Sequence, residues 1–190
     1  MANVYVPTPK QLHYVRTTPQ FIPQGDTHLC WAASLQSWLD VTVREFGEAS
    51  GTWSGPEAEK NFFNGLPWKR ERLELKDMVG RWGDLLNDDQ SLVPENMPKI
   101  ALDIGMTGSV LKAPQLLAPS LFEKIRSSCL YMIYFSVMMN HAIVVYGFTT
   151  PGSLDVMDPN PTQGLITRPL SFFSEPGRID RTMFIGWAVQ

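Results

Sequence analysis

The sequence is poor in cysteine and histidine, with two of the former and three of the latter in 190 residues. Two cysteines exclude a disulfide framework. The only short-spaced pair among these residues is His28 with Cys30, so no metal centre is expected, and nothing calls for a cofactor. Basic runs are equally scarce. The longest is Lys69-Arg70 with Arg72 nearby, and the net charge is −3, which argues against a nucleic-acid partner. The first residues, MANVYVPTPKQLHYV, lack a charged n-region and an apolar h-region. They are not a classical secretory signal, and synthesis in the reducing cytoplasm is the expectation. No stretch approaches the ~20 apolar residues of a membrane span. The longest, Cys129 to Met139, is broken by Ser136 and reads as a buried strand.

What is present suits one folded unit. A 44% hydrophobic content over this length supports a single core, and residues 1–190 read as one domain. Residues 1–23, with Pro7, Pro9, Pro19 and Pro23, form an extended arm. Residues 24–128 read as mainly helical. Trp31, Leu35, Trp38, Leu39, Val43 and Phe46 mark one face of a helix from about Leu29 to Phe46, followed by a loop from Gly47 to Pro56. Leu75, Met78, Val79, Trp82 and Leu86 mark a second helix. Pro94 or Pro98 opens a third that ends at Gly105, and Pro119 to Arg126 is a fourth. Residues 129–190 read as mainly β, with strands at 130–135, 142–148, 154–157, 165–168 and 183–189. A helical half followed by an antiparallel half is the α+β class, with a site in the cleft between them.

The chemistry concentrates on Gln24 to Leu39, QGDTHLCWAASLQSWL. Asp26 or Thr27 can cap the helix, which puts Cys30 in its first turn, where the converging N–H groups favour a thiolate. A thiolate nucleophile needs an imidazole to pair with it and carry the proton. His13 lies in the Pro-rich arm, and His28 is expected to turn its ring elsewhere. His141 opens a strong strand after the turn Met139-Asn140, from which a side chain is aimed rigidly. It is the candidate base, against the alternative that it merely begins a strand. An orienter must then fix the imidazole tautomer. Asp158 comes 17 residues after His141, at the end of the return strand, in the turn Asp158-Pro-Asn-Pro161; Asn160 is the alternative orienter. Gln24, six residues before Cys30, can donate to an oxyanion together with the Cys30 N–H. Cys129, among strand residues, reads as a small buried hydrophobe. Trp53, Phe62 and Phe63 are more naturally core than cleft.

Gln24, Cys30-Trp-Ala-Ala33, His141-Ala-Ile-Val-Val-Tyr-Gly147 and Asp158-Pro159 together resemble the papain-like cysteine peptidases. They are most similar to the compact bacterial kinds, the effector peptidases of plant pathogens and the bacteriocin-processing type. The resemblance covers roughly residues 20–46 and 119–190 and leaves 47–118 unmatched. Cys30 is preceded by Thr27-His-Leu29, where papain proper has Cys-Gly-Ser/Ala, and the disulfides of secreted papains are missing. The resemblance implies a papain-like fold and a Cys30–His141–Asp158 triad with Gln24 in the oxyanion hole. It implies cleavage of a peptide or isopeptide bond through a thioester acyl-enzyme. The same triad serves a deamidase or a transglutaminase-type acyltransferase, and a non-catalytic binding module on this fold is an alternative of another class. The expected partners are a protein or peptide substrate and, with no inhibitory pro-segment before Gln24, an immunity or inhibitor protein. A bacterial effector or toxin role, with export by a specialised secretion system, is the accompanying expectation.

Overall fold

The computed structural model describes residues 14–15, 17–25, 28–49, 74–112, 119–135, 140–150, 152–174 and 182–188. Asp26, Thr27, His13, Trp53, Phe62 and Phe63 lie outside them, as do most of the arm and most of the expected loop after the first helix.

In chain order the elements are β1 (Tyr14–Val15), α1 (Cys30–Ala49), α2 (Leu75–Arg81), α3 (Met97–Asp103), β2 (Thr107–Lys112), α4 (Pro119–Ser127), β3 (Leu130–Phe135), β4 (Asn140–Phe148), β5 (Ser153–Asp158), β6 (Gly164–Pro169), α5 (Leu170–Ser174) and β7 (Thr182–Trp187). The strands make one antiparallel sheet in the order β2-β7-β3-β4-β5-β6, and β1 pairs with the far end of β4. Hairpins connect β3 to β4, β4 to β5 and β5 to β6, and this sequential pairing places the start of β4 close to the end of β5.

Alternation along the central strands assigns each residue to a layer. Tyr131, Ile133, Ala142, Val144, Met157 and Phe184 pack with Trp31, Leu35 and Trp38 of α1 and with α3. Leu130, Met132, Ile143, Val145, Val156 and Ile185 pack with Leu121, Phe122 and Ile125 of α4 and with Phe173 of α5. The sheet is therefore covered on both faces, which explains why β3 and β4 are apolar almost without interruption.

Helix α1 is buried well beyond one stripe, since Ser34 and Ser37 are also inaccessible. Each polar atom has a backbone acceptor: the Ser34 hydroxyl donates to Ala142 O at 2.9 Å and the Ser37 hydroxyl to Gln20 O at 2.7 Å. Trp38 Nε1 donates to Cys129 O at 2.9 Å. The segment 17–25 also covers the helix, with Arg44 donating to Thr18 O. The helix also runs on to Ala49, through the start of the segment read as a loop.

Three elements differ from the sequence reading. Strand β2 lies within the stretch read as mainly helical, at the sheet edge beside β7. Its opening Thr107-Gly-Ser109 has loop composition, but Gly108 faces Gly186 across the ladder. A Cβ at either position would run into Phe184 or Met106. The second helix stops at Arg81, and Gly83–Leu85 continue as one 3₁₀ turn. Both prolines are used in the third: Pro94 opens a 3₁₀ turn and Pro98 stands in the first turn of α3.

Candidate active site

The first turn of α1, the start of β4 and the end of β5 meet at one end of the sheet. Cys30 is the first residue of α1, partly exposed at a cavity of about 320 Å³. Gln24 lines the same cavity, and so do Asn140 and His141 at the start of β4. The Gln24 backbone N–H donates to Pro159 O at 2.9 Å, tying the loop before α1 to the turn after Asp158. Gly25 beside it takes φ +70°, a conformation that favours glycine.

His141 is 8% exposed and Asp158 3%. The His141 Nε2 lies 2.7 Å from Asp158 Oδ1, which leaves Nδ1 as the ring nitrogen available to the Cys30 sulfur. Burial alone would lower the His141 pKa. The hydrogen bond donated to Asp158, the hydrogen bond with Cys30 and the charges of both outweigh it, and the imidazole is raised to about 9. Burial would likewise raise Asp158, but the His141 hydrogen bond and charge, the Asn160 N–H and Arg168 together hold the carboxyl below its ordinary value. Asn160 does not meet the imidazole; its amide oxygen accepts from the N–H and hydroxyl of Thr162. The edge of the Tyr134 ring packs against the imidazole at 5.6 Å between centroids.

A second wall comes from a segment in which no functional residue was expected. Asp89, Ser91 and Leu92 line the cavity together with Cys30. Their loop is closed by the Leu86–Leu92 bridge and by Asn87 N–H donating to Ser91 O, and it turns through Gln90 at φ +66°. That conformation directs the Gln90 carbonyl to Trp31 Nε1 at 3.0 Å, so the residue next to Cys30 anchors the second wall. His28 also lines the cavity, with Nδ1 turned to Asp89 Oδ2 at 2.8 Å. Behind the nucleophile, the Tyr131 hydroxyl donates to Trp31 O at 3.0 Å. Burial, with the nearby Cys30 adding to it, keeps this phenol well above its ordinary range and therefore neutral. No spacing in one dimension connects Asp89 to Cys30.

Among the described residues no group of three or more His, Cys, Asp or Glu side chains is placed to hold a metal ion. No described helix is long and apolar enough to cross a membrane.

No family model matches the chain, and no curated protein does. Among solved structures it is similar to the peptidase domain of Streptococcus ComA, a bi-functional ABC transporter involved in a quorum-sensing pathway. Identity there is 16% and the TM-score 0.48, over 90% of this chain and 100% of that one. It is also similar to the peptidase domain of Streptococcus mutans ComA in complex with a small-molecule inhibitor, at 17% identity and TM-score 0.45, over 87% and 98% of the two chains.

Proposed function

We propose that this chain is a papain-like cysteine peptidase whose nucleophile is Cys30, whose base and acid is His141 and whose orienter is Asp158. One observation carries the reading: a buried imidazole is held between a buried carboxylate at 2.7 Å and the sulfur of a first-turn helical cysteine that opens onto a cavity. A structural histidine needs no accessible thiol on its second nitrogen.

The geometry supports a two-stage acyl transfer. Cys30 Sγ, as the thiolate paired with the His141 imidazolium, attacks the carbonyl carbon of a peptide bond in the cavity. The electron pair moves onto the carbonyl oxygen, where the Cys30 N–H and the Gln24 amide are the donors at hand. As the oxyanion collapses, the C–N bond breaks, His141 protonates the leaving amine and a thioester remains on Cys30. Water then enters and gives its proton to His141, and the thioester opens to the acid and the free thiol. Asp158 keeps the imidazole in one tautomer throughout without taking its proton.

The test is alkylation of Cys30 by iodoacetamide from acidic to neutral pH, in the wild type and in His141→Ala. At mildly acidic pH the wild type should react far faster than a small free thiol, and the variant should lose that advantage. Equal, slow reaction in both proteins would reject the reading. The same proposal extends to a protein or peptide substrate and to the bacterial effector or toxin role implied by the motif resemblance. Expression of the wild type, but not of Cys30→Ala, should then harm a susceptible cell, and co-expression of a cognate inhibitor should protect it.

A further inference from the structure

We propose that Arg168 is a positioning residue of this site, holding Asp158 as a carboxylate and sharing its charge with His141. The inference rests on the reading of His141 as the proton carrier and adds a residue from β6 that no part of the motif set contains.

A carboxylate as buried as Asp158 needs donors on both oxygens. Oδ1 accepts from His141 Nε2 at 2.7 Å and from the Asn160 N–H at 3.0 Å. Oδ2 accepts from Arg168 Nη2 at 3.3 Å. Arg168 is itself placed by contacts that do not involve Asp158. Nη2 also donates to Gln163 Oε1 at 3.0 Å, and the guanidinium lies over the Phe172 ring, 4.6 Å from its centroid. The turn before β6 and the helix after it thus hold the cation ready for the carboxylate.

The result is a row of polar groups drawn from four elements: Cys30 on α1, His141 on β4, Asp158 on β5 and Arg168 on β6. Other charged groups nearby are otherwise engaged. Asp155, also on β5, accepts from Thr149 and Thr167, while His28 and Asp89 pair with each other at the cavity mouth; the Tyr134 ring against His141 is uncharged. Facing Asp158 alone, the imidazolium would be held more firmly. With Arg168 on the second oxygen, part of the carboxylate's charge is compensated. The contact is a single N–H at 3.3 Å from a side chain 25% exposed, so its effect is moderate.

The experiment follows the Asp158 carboxyl carbon and the His141 imidazole by NMR titration in the wild type, Arg168→Met and Arg168→Lys. In Arg168→Met the Asp158 titration should move up by about half a unit to one unit. The His141 titration should also move up, because its carboxylate partner is no longer shared. Arg168→Lys, which keeps the charge, should retain most of the wild-type position. A role confined to packing would leave both titrations in place. An unmoved Asp158 titration in folded Arg168→Met overturns the proposal. If that variant does not fold, Gln163→Ala, which removes the acceptor that supports Arg168 together with a 3.3 Å bond to the Thr162 hydroxyl, should shift Asp158 upward by less, and no shift there overturns it equally. Fast wild-type alkylation of Cys30 with an unmoved Asp158 removes only the role of Arg168, whereas slow alkylation removes the peptidase reading itself.

Discussion

The two walls of the cavity are built on different principles. The wall that carries Cys30, His141 and Asp158 is made of a helix start and two strand ends, and behind the partly exposed Cys30 the side chains of His141 and Asp158 are buried and bonded to one another. The wall that carries Asp89 and Ser91 is a loop whose tip bonds to the Trp31 indole and meets His28 in a solvent-exposed pair, with Leu92 at its end packed in the core. Proton transfer tolerates little displacement, so its groups belong on elements that packing fixes. Selection among substrates tolerates, and often needs, a surface that can vary without disturbing the core. On the proposed reading, reaction belongs to the first wall and choice of substrate to the second.

The sharpest way to break this comparison is to cut into the first wall. Asp158→Ala leaves a buried imidazole without its acceptor, and the alkylation advantage of Cys30 at mildly acidic pH should fall by about 10²-fold. A comparable loss from Asp89→Ala would erase the distinction between the walls. The first wall should also govern how stability depends on pH. His141 is raised to about 9 in the folded chain against 6.5 when unperturbed, so the folded state binds its proton more tightly than the unfolded one. Its contribution is fully present below pH 6.5 and is lost as pH rises through about 9. Denaturant unfolding across that window should show wild-type stability declining by on the order of a few kcal/mol. His141→Ala should lack that decline. Asp158 has the opposite sign: lowered below 3.8, it adds stability above that pH which disappears as pH falls through its folded value.

A smaller effect is expected where the walls are joined. Trp31→Phe keeps a large ring beneath the cavity but removes the hydrogen bond to Gln90 O. It should cost about 1 kcal/mol in global stability. Hydrogen exchange of the Asn87, Gln90 and Ser91 amides, which close the loop, should accelerate by more than that of the β3 and β4 amides. Equal acceleration everywhere would mean that the loop is as integral to the fold as the sheet.

How much of this was legible in the sequence follows from the range of each interaction. Periodicity is local, so α1, α4 and strands β3 to β6 can be read directly, and so can the candidates Cys30, His141 and Asp158, which stand at their ends. The proximity of His141 and Asp158 was also accessible, because two consecutive hairpins leave few choices of register. Strand β2 was not, since its glycine answers to a neighbour nearly 80 residues away, Gly186 across the ladder. The full burial of α1 was hidden for a similar reason: Ser34 and Ser37 look like solvent-facing positions until β4 and the 17–25 segment close over them. Asp89 and Arg168 carry no local mark at all. One reaches the site through a turn whose direction depends on Gln90, the other through a side chain that runs back along the sheet to Asp158.

The smallest predicted effect tests whether the exposed pair across the cavity mouth matters to the fold. His28 and Asp89 are 69% and 51% exposed, and solvent screens such a pair strongly. Asp89 lies below its ordinary value chiefly through hydrogen bonds from Ser91, not through His28. The loop's internal bonds therefore define the position of the carboxylate, and the imidazole only meets it there. His28→Ala should leave the melting temperature unchanged within error and alter instead which peptides acylate Cys30 fastest, since it removes one edge of the mouth without touching the groups that move the proton. A clear drop in melting temperature would show that the pair braces the two walls, and the second wall would then belong to the scaffold as much as the first.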